Sequence, residues 1–216
     1  MSNLKDEKFL VIVESPNKVK TVSNILKKAG YSKAIVMASV GHIMELQNGG
    51  PCFNSGIYPA DNFRMSLKVA EDKTKVVANL KLAVKTSDKV YLMTDGDREG
   101  EVISWSLIHF LKLKEGTYFR AITHEITPKA IIHALENPVP LDMNLVEAGL
   151  ARMRLDKLIG FGLSPVAKRY IGAKRVGRCQ SVGLALVVDR ENEITNFIPE
   201  LYYELFLDFE KDGIHY

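Results

Sequence analysis

Short continuous apolar runs alternate along this chain with stretches whose apolar residues recur every three or four positions. That alternation sets the expected elements. Residues 8–13, Lys8-Phe9-Leu10-Val11-Ile12-Val13, read as a strand buried on both faces. Ser15-Pro16 opens a helix, because proline suits the first helical position. Val22, Ile25, Leu26 and Ala29 then keep helical spacing until Gly30 stops it. A second strand is expected over 34–40, closed by Gly41-His42. Residues 47–62, rich in Gly, Asn and Pro, read as a loop. A helix is expected over 69–84 and a third strand over 89–93. That strand runs into Thr94-Asp95-Gly96-Asp97-Arg98-Glu99-Gly100-Glu101. A helix follows over 102–111, with Ile103, Leu107 and Phe110 on one side and Trp105 assigned to the core. Residues 117–123 read as a strand. Thr127 caps a helix over 128–136, with Pro128 at its first position.

Strands alternating with helices indicate an α/β fold with a mainly parallel sheet flanked by helices. After residue 137 the pattern turns helical, over 144–159, 165–170 and 177–196. Gly162 is expected to end one helix and Ser164-Pro165 to begin the next. Residues 201–209 read as a strand with no evident partner. The expected organisation is an α/β domain at 1–140, an incomplete α-helical domain at 141–198, and the first strand of a further, incomplete domain at 199–216.

Composition narrows this little. Apolar residues at 46% and charged residues at 25% suit a packed core and exclude a disordered chain, a collagen or a coiled-coil rod. No apolar run approaches the roughly 18 residues of a membrane span. The first eight residues are polar and of both charge signs, so no secretory signal is expected. Cys52 and Cys179 stand alone, against a disulfide scaffold or zinc ribbon, and suit a reduced cytoplasm. Charge distribution says more. Arg152, Arg154, Lys157, Lys168, Arg169, Lys174, Arg175 and Arg178 face one acid, Asp156, within 27 residues. That segment carries +7, which leaves −4 for the rest of a chain whose net charge is +3. Two readings stand side by side: a solvated helical face, or a surface for a polyanion.

In an open parallel sheet, ligands collect beyond the C-terminal ends of the strands. Glu14 ends the first strand, with Lys18 one turn further on. Asp95, Asp97 and Glu99 follow the third at alternate positions, which share a face while the backbone stays extended. Three acids so close repel one another unless a cation sits among them. Hard oxygen donors favour Mg²⁺, which takes one or two carboxylates and keeps water elsewhere. The plainer alternative is an acidic turn paired with Arg98 or Lys89.

These segments, in this order, resemble type IA DNA topoisomerases of the bacterial topoisomerase I branch. The matching stretches are Val11-Ile12-Val13-Glu14-Ser15-Pro16-Asn17-Lys18-Val19-Lys20-Thr21, Ser39-Val40-Gly41-His42-Ile43, Thr94 to Glu101, and His124-Glu125-Ile126-Thr127. They continue through Ala151-Arg152 to Asp156, then Gly160, Ser164-Pro165, and Gly177-Arg178-Cys179-Gln180-Ser181. The acidic element alone fits any Toprim domain; the ordered set is specific. Three positions depart from the family's pattern: Met153 for a second arginine, Arg175-Val176 for small residues, and Cys179 for valine.

The resemblance implies a Toprim-type sheet followed by the start of a helical domain that binds single-stranded DNA. It implies Glu14 for proton transfer, Lys18 on the scissile phosphate, Arg98 near DNA, and Asp95, Asp97 and Glu99 as Mg²⁺ ligands. Arg152 and Asp156 support the site, while Lys174, Arg178 and Gln180 grip single-stranded DNA. His42 is open between a structural turn and a catalytic role. The implied enzyme is an isomerase that relaxes negatively supercoiled DNA through a 5′-phosphotyrosine without ATP, and no Walker A pattern occurs. None of the eight tyrosines has the expected Tyr-x-Arg-Thr context. The chain is therefore expected to be the N-terminal part of such an enzyme, lacking the nucleophile, inactive alone in strand cleavage, and monomeric. Two readings stay open beside it: a Toprim nuclease, and a non-catalytic Mg²⁺-dependent DNA-binding module.

Overall fold

The computed structural model describes residues 4–215. Met1–Asn3 and Tyr216 lie outside them, so part of the leader expectation and the last tyrosine lie outside too. Four strands, β1 (Phe9–Val13), β2 (Ile35–Ala38), β7 (Lys89–Met93) and β8 (Tyr118–Arg120), form one parallel sheet in the order β2-β1-β7-β8. Register places Val13 beside Met93 and Leu92 beside Arg120. Between these strands run four small ones that pair antiparallel outside the sheet: β3 (Met44–Leu46) with β6 (Leu67–Val69), and β4 (Ile57–Tyr58) with β5 (Arg64–Met65).

The alternation in β1 divides the core. Phe9, Val11 and Val13 pack with α1 (Pro16–Lys28) and α4 (Pro128–Glu136), through Val22, Leu26, Ile131 and Leu135. Leu10 and Ile12 pack on the other face with α2 (Thr74–Lys85) and α3 (Arg98–Leu111), through Val77, Leu80, Ile103 and Leu107. Every residue of β1 is buried, at about 1.5–3 kcal/mol for each such large side chain. The sheet is therefore covered on both faces, as expected for this α/β class.

Several helices differ from expectation. The helix expected at residue 69 starts at Thr74, because Leu67–Val69 is used as a strand against Met44–Leu46. The helix expected at 102 starts four residues earlier. Asp97 caps it, accepting from the Gly100 N–H at 2.8 Å, and Glu99 and Glu101 favour its positive end. The two helices expected over 144–170 are one, α5 (Met143–Ile171), which carries Pro165 inside it. Ser164 does not cap a new helix. Its hydroxyl accepts from the Val176 N–H at 3.0 Å and so ties the α5 end to the linker that precedes α6 (Arg178–Thr195).

The strand expected over 201–209 is not formed; those residues have no regular secondary structure. A two-stranded pairing begins only at β9 (Glu210–Lys211) with β10 (Ile214–His215).

Helix α5 lies against α3 through Met44, Val102, Val146 and Leu150, with Trp105 packed on that cluster. Gly149 permits the approach: a Cβ there would come within 2.3 Å of Val102 Cγ2. Gly183 in α6 has open space around it. Gly149→Ala should therefore cost about 1–3 kcal/mol by overpacking. Gly183→Ala should be neutral or gain up to ~1 kcal/mol from helix propensity. Urea unfolding of the two variants checks the contrast.

Candidate active site and nucleic-acid interface

At the end of β7, Leu92 O takes the Ala121 N–H at 3.0 Å, and the carbonyls of Thr94 and Asp95 just beyond the strand are met by one buried side chain. Arg120 Nη1 donates to the carbonyls of Leu92 and Thr94, each at 2.9 Å, and Nη2 donates to Asp95 O at 2.6 Å. Its Nε donates to Glu101 Oε1 at 2.8 Å, the two side chains being 2% and 1% exposed. Burial pushes the guanidinium below its usual value while the Glu101 carboxylate opposes that. Glu101 Oε2 accepts the Asp142 N–H at 3.0 Å. Thr94 adds a buried hydroxyl bond to Gly100 O at 2.7 Å. Gly100 has to be glycine: a Cβ would lie 2.0 Å from Asp95 O. The acidic turn is thus fixed from beneath, and its carboxylates point outward.

Two clefts flank that turn. The first, about 410 Å³, is lined by Lys18, Asp95, Gly96, Asp97, His124 and Glu125, among others. Lys18 Nζ meets Asp95 Oδ1 at 2.5 Å, so α1 and the acidic turn join at the strand tips. The second, about 510 Å³, is lined by His42, Glu99, Arg152, Met153, Asp156 and Lys157, among others. There His42 Nε2 lies 2.6 Å from Glu99 Oε2, and Arg152 Nη1 lies 3.5 Å from Glu99 Oε1. His42 follows two left-handed residues, Val40 at φ 60° and Gly41 at φ 78°. A β-branched residue there costs about 1–3 kcal/mol. The Gly41 N–H donates to Glu14 O at 3.1 Å, which fixes the turn against the end of β1.

The expected site residues are therefore partly brought together. Asp95 and Asp97 share the first cleft with Lys18; Glu99 faces the second. The alternation stops at Asp97 because α3 begins at Arg98, and a helical step turns Glu99 away. Among the described residues, no three His, Cys, Asp or Glu side chains form a group that could hold a metal ion. Repulsion among the acids is relieved instead by Lys18, His42, Arg152 and the Gly100 N–H. The plainer pairing partners are not used: Lys89 pairs with Glu7 at 2.6 Å. Arg98 is exposed and makes no ion pair among the described residues. Glu14 ends β1, outside the lining of either cleft.

What remains fits a cation held by two carboxylates. Asp95 is half exposed, Asp97 commits only Oδ1 to its cap, and both open on the same cleft. Two carboxylate oxygens plus water is an ordinary Mg²⁺ set.

Asp156 joins the two long helices. Its Oδ1 accepts from Arg178 Nε at 2.8 Å, and its Oδ2 lies 3.7 Å from Arg152 Nε. The Arg178 hydrogen bond, helped by Arg152, holds the Asp156 carboxyl below its usual value. Lys174 and Gln180 lie elsewhere, in a third cleft of about 720 Å³ with Lys168, Arg175, Phe53 and Phe161. Lys157 Nζ sits 4.2 Å from the centre of the Phe161 ring. Tyr170 is exposed, with the Arg169 guanidinium 5.6 Å from the centre of its ring.

With this geometry in place, comparison with known proteins is decisive. The Toprim domain family matches residues 9–126, and the DNA topoisomerase family matches 140–216. DNA topoisomerase 1 of Rickettsia felis is 43% identical over 210 residues, covering 94% of this chain and 26% of that protein. The chain belongs to the bacterial DNA topoisomerase I family. DNA topoisomerase 1 of Zymomonas mobilis is also 43% identical, over 95% of this chain and 17% of its own length. The full-length topoisomerase I structure from Thermotoga maritima matches with a TM-score of 0.75 at 37% identity, over 88% of this chain and 31% of that one. The chain thus spans about a quarter of the length of the Rickettsia relative.

Two site residues, Arg120 and Glu101, escaped the sequence reading of this topoisomerase chain. Their signal was a basic residue inside an otherwise apolar strand, and an acid in the first turn of α3 that the structure buries. For Asp156 the sign of the pH effect is fixed. A carboxyl held low contributes stability above its ordinary value of 3.8, and loses it as pH falls through the lower folded value. Carbon-13 NMR should give an Asp156 midpoint below 3.8, which rises in Arg178→Ala.

Proposed function

We propose that this chain is the N-terminal portion of a type IA DNA topoisomerase that relaxes negatively supercoiled DNA in the cytoplasm by passing one strand through a break in another. The observation that carries the reading is the Lys18–Asp95 contact, which joins the helix after β1 to the acidic turn after β7 in one open cleft. A lysine beside two outward carboxylates suits a sugar-phosphate backbone, and Lys18 is the group that would hold a phosphate oxygen there. Mg²⁺ bound by Asp95 and Asp97 would supply positive charge to that phosphate. Glu99, held by His42 and Arg152 in the second cleft, is the third acid of the set and would have to turn to join Asp95 and Asp97.

Arg98 is an exposed cation at the start of α3 with no ion pair among the described residues, suited to a neighbouring phosphate. Glu14, at the end of β1, is assigned to proton transfer. Arg152, Asp156 and Arg178 shape the path along α5, and Lys174 and Gln180 extend it in the third cleft, where Phe53 and Phe161 offer rings to unpaired bases. In the reaction, a tyrosine hydroxyl from outside this chain attacks the phosphodiester. Its oxygen bonds phosphorus as a 5′-phosphotyrosine, its proton leaves through a base, and the 3′-oxygen departs as a hydroxyl. Resealing reverses each step, and strain in the DNA drives relaxation without a nucleotide.

The full chain with Mg²⁺ and a single-stranded oligonucleotide should bind and leave it uncut; cut products would favour the nuclease reading. Asp95→Asn with Asp97→Asn should lower Mg²⁺ affinity at least about tenfold by calorimetry, and equal affinity would remove the metal site. Neutralising Lys168, Lys174 and Arg175 together should lower the salt slope of oligonucleotide binding by about 2. An unchanged slope would place the strand elsewhere.

A further inference from the structure

The buried pair beneath the acidic turn does more than neutralise itself. Arg120 donates to one carboxylate, Glu101, and to the main-chain oxygens of Leu92, Thr94, Ala121 and Asp95, the last being the residue that carries the first acid of the cleft. Leu92 O and Thr94 O hold the end of β7, and Asp95 O holds the turn. Asp97 follows two residues later and is itself locked to the α3 start through the Gly100 N–H. Shifting the Asp95 carbonyl therefore shifts both carboxylates of the first cleft.

The other end of the pair leads away from the turn. Glu101 Oε2 accepts the N–H of Asp142, and Asp142 is the residue that caps α5, its Oδ1 taking the N–H groups of Asn144 and Leu145. From that cap α5 runs on to Arg152 and Asp156 in the second cleft. Two buried side chains thus connect the carboxylates of one cleft with the helix that lines the other.

We propose that Arg120 is a positioning residue that sets the place of the Asp95 and Asp97 carboxylates, and that Glu101 fastens that turn to the start of helix α5. The metal part of this rests on the topoisomerase reading above; the fastening does not. The planar fork of arginine is essential to it. A lysine keeps the charge opposite Glu101, but it offers a point cation and cannot reach the two ends of the carbonyl row at once. Neutralisation alone would survive that exchange, and positioning would not. Groups that orient metal-binding carboxylates typically contribute tenfold to a hundredfold in affinity.

The experiment uses the full chain. Arg120→Lys, shown native by circular dichroism, should bind Mg²⁺ at least about tenfold more weakly by calorimetry. Its affinity for a thymidine oligonucleotide in EDTA should stay within about twofold, because the basic groups of α5 are untouched. A folded Arg120→Lys with unaltered Mg²⁺ affinity overturns the positioning role. Glu101→Gln is the second variant, and it decides the case if the lysine variant does not fold. It keeps an acceptor for Arg120 and puts an amide where the Asp142 N–H was received. Hydrogen exchange at the Asp142 amide should then quicken about tenfold or more, while Gly100 stays protected. Equal exchange at Asp142 overturns the fastening. If the unaltered chain takes up no Mg²⁺, the topoisomerase reading of the cleft falls, and the exchange measurement alone decides the fastening.

Discussion

The carbonyl oxygens just past the end of a central strand need donors, and in this molecule an arginine from the neighbouring strand supplies them. The rest of the site follows from that need. β8 is shorter than β7 reaches, and its last residue, Arg120, turns its guanidinium back beneath the strand end. A charge so deeply enclosed requires a buried counter-charge, and Glu101 provides it. Removing one member alone would strand the other, which costs about 3–5 kcal/mol in comparable pairs. The acidic residues above can stay open to solvent because their backbone is held from below.

That division of labour explains what could be read from the sequence. The sheet was legible because each core strand is an unbroken apolar run, and because caps such as Ser15 and Thr127 mark helix starts without help from distant parts. Leu67–Val69 was not, since its three residues suit a helix until Met44–Leu46 comes to pair with them. Pro165 likewise carries a local stop signal that α5 overrides, with Ser164 engaged at Val176 instead of at a new helix start.

The site shows the same limit. Lys18 and Asp95 were named from strand ends and do meet. Glu99 belonged to the same reading of alternate positions, but its direction depends on where α3 begins, and Asp97 decides that by capping at once. Arg120 and Glu101 were missed because neither charge has a meaning until its partner is found, and the two are 19 positions apart; Glu101 also reads as one more acid of the Asp95–Glu101 run. Metal chemistry argued from repulsion among the acids was weakened too, as protein cations and an amide already answer each one.

The segment from Leu201 to Phe209 has a consequence of a different kind. Its large apolar side chains are 61–91% exposed, in a run rich in aromatic and leucine residues with no proline. Such a run is a template for stacking with copies of itself. Glu204 and Asp208 bracket Leu205-Phe206-Leu207 with negative charge. Any in-register pile of these segments would bring like charges into columns at both ends of the greasiest stretch, a built-in brake on fibre growth for as long as that stretch lies open.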